Sequence, residues 1–173
     1  MRTEDTAHFR CLAATPDILT SLAGLAPPEQ LVWKPAPDRW SVCEILGHLE
    51  DVEKLNVGLR VKRILEEEMP SFLDYDQQAR YAAGAYRNDD GRRALHDFRE
   101  TRRRSLVKLR GTSTSDWTRR GRHPAVGDVQ MSQLMSLWAF HDLSHLRQIA
   151  ELLKATLFWD GIGSLQVYYN VKP

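Results

Sequence analysis

Between residues 134 and 153 the chain reads "LMSLWAFHDLSHLRQIAELL". Apolar residues recur there every three or four positions, at Leu134, Leu137, Trp138, Ile149 and Leu152, which is the period of an amphipathic helix. His141, His145 and Gln148 fall inside that stripe, not opposite it. A buried polar group left without a partner costs about 1–3 kcal/mol. A chain that places two imidazoles in its most apolar helix must therefore supply something that bonds them.

The same period appears three more times. Residues from about 4 to 24 form a first helix, which Pro16 is expected to kink or restart, with Thr15 as the cap of the restarted part. Gly24 and the prolines at 27–28 end it. After the Pro-rich loop "LVWKPAPDRWS", Ser41 and Glu44 form a capping box for a second helix that runs to about Glu68. Val42, Ile45, Leu49, Val52, Leu55 and Leu59 share one side of it, and His48 lies in the same arc. A third helix spans about Asp90 to Leu109, with Ala94, Leu95, Phe98, Leu106 and Leu109 inward. The triplet at 102–104, "RRR", reads as a solvated face. The fourth spans about Val129 to Lys154. Residues 69–89 are a long connection with a short helix around "YDQQARYAAGAY", long enough to cross the domain and let its flanking helices run parallel. The stretch 111–128 reads as a turn-rich loop. The aromatic tail from Thr156 reads as irregular or extended chain packed over one end.

Four amphipathic helices without an alternating strand pattern predict an all-α four-helix bundle, taken as a single domain over residues 1–173. With 42% apolar and 27% charged residues and a formal charge of +1, the 173-residue chain has the composition of a globular protein. It lacks the skew of a nucleic-acid-binding surface. No apolar run approaches the roughly 18 residues of a membrane span. The N-terminal stretch shows no signal-peptide pattern, so a cytoplasmic location is expected. The two cysteines, Cys11 and Cys43, form no C-x-x-C pair and read as small buried apolar residues.

Two histidines at i and i+4 lie on one helix face and can share one metal ion. The pattern alone is weak, since a chain of this composition carries about 0.2 such matches by chance. The third histidine on a core-facing stripe, His48, strengthens it. One cation at the meeting point of His48, His141 and His145 would satisfy a nitrogen on each ring. Three neutral imidazoles with an open position are the ligand set of a catalytic zinc site. Glu44, Asp51 and Asp142 are candidates to bond the outer ring nitrogens. Gln148 is a candidate to bond a bound water or to cap a polar pocket. His123 is a candidate for the rim of the site, whereas His8 and His96 lie off the stripes and read as surface residues. Trp33 and Trp40 read as packing anchors for their loop.

The stretches "RWSVCEILGHLEDVE" and "HPAVGDVQMSQLMSLWAFHDLSHLRQI" resemble the DinB-like family, the DNA-damage-inducible metal-binding four-helix bundles. The resemblance covers nearly the whole chain. It rests on a Trp-Ser entry to the second helix, a histidine seven residues after that serine, and H-D-x-x-H-x-x-Q on the last helix. It implies His48, His141 and His145 as ligands of zinc or nickel, an up-down-down-up bundle, and pairing into homodimers. Members of the family include S-transferases that use low-molecular-weight thiols and proteins described as metal-dependent hydrolases. The expected function is a metal-dependent enzyme that activates a thiol for transfer to a small electrophilic substrate. Hydrolysis through metal-activated water, and a noncatalytic metal-stabilised stress-related binding protein, are the alternatives.

Overall fold

A computed structural model describes residues 1–87 and 90–169. Four long helical rods form the bundle: α1 (Ala7–Ala23), the pair α3 (Val42–Leu55) and α4 (Val57–Glu66), α6 (Gly91–Arg110) and α7 (Met131–Phe158). Short helices α2 (Pro28–Leu31) and α5 (Gln77–Ala82) lie in the connections. The order is up-down-down-up, with the long α4–α6 connection crossing the bundle as expected. Residues 88–89 of that connection and 170–173 of the tail lie outside the described residues. α3 packs chiefly on α6, and α1 on α7 and α6. No helix among the described residues is long and apolar enough to cross a membrane.

The capping box forms as the sequence predicts. Glu44 N–H donates to Ser41 Oγ at 3.2 Å, and Ser41 N–H donates to Glu44 Oε2 at 2.9 Å. The first helix differs from expectation. It runs unbroken through Pro16, and its cap is Thr6, which accepts from Phe9 N–H at 3.2 Å. Thr15 instead returns its hydroxyl to Cys11 O at 3.0 Å. Proline has no N–H to give the carbonyl four residues back, here that of Leu12. Arg102 Nη1 donates to that carbonyl at 2.9 Å, and this tertiary bond replaces the one the helix lacks.

Arg102 itself corrects the reading of the 102–104 triplet, because it is 1% exposed at the centre of the bundle. It lies one turn beyond Phe98 on the inward stripe of α6. Its charge is held there by Glu53 and Asp142.

The second rod is broken. At Asn56 the backbone leaves the helix (φ −122°, ψ −112°) and restarts as α4. The two segments approach so closely that a Cβ on residue 58 would lie 2.3 Å from Glu53 O, which makes glycine obligatory there. The break turns Leu55 outward, to 45% exposed, against its expected place in the core. Leu137 is likewise half out, at 49%.

Two further segments depart from the sequence reading. Within the expected 111–128 loop, β1 (Arg120–His123) and β2 (Gly127–Gln130) form an antiparallel hairpin. Its outer edge holds the crossover, through Phe72 N–H to Arg122 O and Arg122 N–H to Pro70 O, both 2.8 Å. The tail forms 3-10 turns over Asp160–Tyr168 instead of extended chain, and Leu165, Val167 and Tyr168 stay exposed. Cys43 is buried as expected, whereas Cys11 is half-buried.

The core falls into two apolar clusters. One contains Leu12, Val52, Ile64, Leu109 and Trp138; the other contains Leu19, Ile45, Leu49, Phe98 and Ile149. Each rod contributes polar residues at the seam between them: Thr15 from α1, His48 and Glu53 from α3, Arg102 from α6, and His141, Asp142 and His145 from α7.

Candidate metal centre

The imidazoles of His48 on α3 and of His141 and His145 on α7 meet at that seam. His48 is buried and the other two are half-buried. The Nε2 atoms of His48 and His141 are 3.0 Å apart, and those of His141 and His145 are 3.2 Å apart. Gln148 Oε1 faces His145 Nδ1 at 2.9 Å. A carbonyl oxygen only accepts, so Nδ1 carries the proton and Nε2 presents a lone pair to the other rings. A tetrahedral cation with nitrogen ligands at about 2.0–2.1 Å sets those nitrogens roughly 3.3 Å apart. The separations in the triad fit that requirement. The donor set also fits in protonation. Burial first, and then the neighbouring rings, push His48 down to about 2. Burial and His145 push His141 down to about 4. Burial lowers His145 as well, partly offset by Gln148 and Asp142. All three are thus neutral near pH 7, the form that ligates.

The outer side of the site differs from the sequence reading. None of the three expected carboxylates bonds an imidazole. Glu44 is held in the capping box and by Lys34 Nζ at 2.6 Å. Asp51 accepts from Arg80 at 2.5 Å on each oxygen and from Tyr75 at 2.7 Å. Asp142 accepts twice from Arg102, at 2.6 and 2.9 Å. Cations brought in by other elements outcompete a neutral ring for an ionised carboxylate. His48 Nδ1 and His141 Nδ1 therefore lie buried with no hydrogen-bond partner among the described residues. Gln148, expected at a bound water or a polar pocket, instead takes a ring nitrogen, that of His145.

Trp40 does more than anchor its loop. Its ring stacks at 8° to His145, 6.3 Å between centroids, and packs on His48 at 4.9 Å and on Tyr86 at 5.4 Å. Tyr86 in turn lies edge-on to His48 at 5.1 Å. Gly47 permits this, since a Cβ there would meet Tyr86 O at 2.9 Å. These rings wall one side of the triad, while Trp33 stays 40% exposed and apart. Elsewhere His48 and His141 border a cavity of about 260 Å³, lined also by Val52, Asn56, Val57, Tyr75, Gln77 and Leu137. Asn56, Tyr75 and Gln77 were not singled out from the sequence. The only local signal was Asn56 and Gly58 interrupting a helical pattern. His123 does not line this cavity. It sits on β1 with Nδ1 accepting from Ala125 N–H at 3.2 Å, and burial and the charge of Arg60 lower its pKa. His96 is exposed as expected, and His8 bonds Ser136 Oγ at 3.0 Å.

Residues 12–149, a span that contains all three histidines, match the model of the DinB superfamily. The chain belongs to the DinB superfamily. Within it, the chain is 32% identical over 120 residues to a Bacillus pumilus (strain SAFR-032) protein named "Putative metal-dependent hydrolase", covering 66% of this chain and 65% of that one. It is 28% identical over 115 residues to the Oceanobacillus iheyensis protein "Putative metal-dependent hydrolase OB0782", covering 66% of each. The chain thus spans about two thirds of the length of these relatives. Its fold is that of the solved Bacillus subtilis protein YfiT, described as "a probable metal-dependent hydrolase with an unusual four-helix bundle topology". The TM-score is 0.75 at 23% identity, over 85% of this chain and 84% of YfiT. Among the described residues of this chain, the three histidines form a group able to hold a metal ion.

Proposed function

We propose that this protein is a metal-dependent hydrolase whose cation is held by His48, His141 and His145. The observation that carries the reading is the convergence of three Nε2 atoms, 3.0 and 3.2 Å apart, beside a cavity large enough for a small substrate. A divalent cation on three imidazoles supplies Lewis acidity at an open position, polarising a carbonyl or phosphoryl oxygen and acidifying water. Imidazole donors suit zinc and nickel alike.

The chain's own residues do the rest. Gln148 fixes the tautomer of His145. Trp40 and Tyr86 keep water from one side of the rings. Tyr75 donates a hydrogen bond through its O–H to Asp51, and burial together with Tyr86 and Asp51 holds its phenol far above the ordinary range. It therefore stays protonated on the cavity wall. Asn56, on the same wall, has a buried Oδ1 with no hydrogen-bond partner among the described residues.

A cation held by the same three histidines would also be able to activate a thiol, which is the S-transfer reading. Hydrolysis is preferred because the relatives' names point to it and no side chain lining the cavity is specialised to bind a thiol. Zinc- or nickel-loaded protein, assayed against a panel of esters and amides, is expected to hydrolyse at least one of them in a chelator-sensitive way. Metal-dependent loss of added thiol in the presence of an electrophile, with no hydrolysis, would replace this reading with S-transfer.

A further inference from the structure

Two arginines are buried among the described residues, Arg60 and Arg102, and they differ in how their charge is met. Arg102 makes four guanidinium hydrogen bonds, to Glu53, to Asp142 twice and to the Leu12 carbonyl. Arg60, on α4, is 6% exposed, yet its one side-chain hydrogen bond among the described residues is Nη2–H to Leu73 O at 3.1 Å. It has no ion-pair partner among them, and Asp74 acts on it only at longer range. Its guanidinium lies over the Phe72 ring, 5.6 Å from the centroid. A guanidinium has five N–H donors; the nitrogens of Arg60 that lack a protein partner are not among the fully buried ones, so they remain open to the cavity it lines.

Arg60 lines a cavity of about 350 Å³ with Phe72, Leu55, Leu59, Ala79 and Tyr75. Tyr75 also walls the cavity beside the triad, so the two spaces adjoin. The other cations on this wall are already neutralised, Arg63 by Glu67 and Arg80 by Asp51. Asp74 and Asp76 are exposed, and each accepts a backbone N–H, from Tyr75 and Ala79. Among the described residues, the cavity therefore offers one cation without an ion-pair partner, among apolar walls and beneath a solvated acidic rim.

We infer that the Arg60 cavity is a subsite for a carboxylate borne on an apolar group of the substrate. The planar guanidinium matches a carboxylate, and Phe72, Leu55 and Leu59 match the apolar body. The acidic rim disfavours a doubly charged phosphate ester relative to a singly charged carboxylate. The substrate role rests on the hydrolase reading; the binding does not.

The test separates the two. Benzoate is titrated by calorimetry into metal-free full-length protein carrying His141→Ala, so the outcome is independent of the metal. Saturable binding is expected, weakened at least about tenfold by Arg60→Gln and tighter than that of phenyl phosphate. The Arg60 Nε–H resonance of the unsubstituted chain is expected to shift on benzoate addition, which covers an Arg60→Gln chain that does not fold. In the metal-loaded enzyme, Arg60→Gln should lower kcat/KM for a carboxylate-bearing ester and spare its neutral methyl ester. Absence of saturable benzoate binding, equal binding by Arg60→Gln, tighter binding of phenyl phosphate, or an unmoved Arg60 resonance would overturn the inference. Benzoate binding without any hydrolysis would keep the subsite and remove the hydrolase reading.

Discussion

His141 and Asp142 are neighbours on α7, yet they belong to opposite kinds of buried polar group. Asp142 closes a cluster with Arg102 and Glu53 in which donors and acceptors match, down to the Leu12 carbonyl left free by Pro16 and the Ser105 hydroxyl on Glu53. His141 belongs to a triad that does not close. Three ring nitrogens face one another, and two outer nitrogens have no partner among the described residues. A closed cluster needs nothing further and serves the fold. An open one asks for a cation.

That contrast makes separate demands on stability and on metal binding. Arg102→Ala would leave two buried carboxylates and a bare carbonyl. It is expected to destabilise the protein by about 3–5 kcal/mol, read by urea denaturation. A loss near zero would mean the cluster is not the closed unit described. His141→Ala is expected to lower zinc or nickel affinity at least about hundredfold in a chelator competition. Unchanged occupancy would move the site elsewhere.

Acid should also tell the two groups apart. The unfolded chain protonates its histidines near pH 6.5, but the folded triad resists until about 4 at His141 and about 2 at His48. Folding of the metal-free protein therefore has its full stability above pH 6.5 and loses it as pH falls below that value. His48 alone contributes a loss on the order of 2 kcal/mol by pH 5. A His48→Phe chain should show a correspondingly shallower decline, and identical declines would contradict a desolvated His48. The smallest effect is expected at Gln148. Gln148→Leu removes the acceptor for His145 Nδ1 and should weaken metal binding about tenfold while leaving its stoichiometry unchanged. Unaltered affinity would show that Gln148 does not orient the ring.

The triad was legible because it is written in local periodicity. His141 and His145 share one face by spacing, and His48 sits on the apolar stripe of a helix whose start is fixed by Ser41 and Glu44. What escaped depends on partners distant in the chain. Arg102 lies on the inward stripe, but its burial is licensed by Glu53, Asp142 and Pro16, none of them near it in sequence. Glu44 and Asp51 flank His48 by a turn, and spacing cannot reveal that Lys34 and Arg80 arrive first. The break at Asn56 is a tertiary event. The hairpin at 120–130 has no alternating apolar pattern to announce it, and its partner is the crossover.

X-ray absorption at the metal edge of the zinc-loaded protein bears most directly on the convergence of imidazoles from α3 and α7 on one ion. Three imidazole nitrogens at about 2.0–2.1 Å are expected, falling to two in His48→Phe. A shell with sulfur, or with fewer than three imidazoles, or one unchanged by the loss of His48, would contradict it.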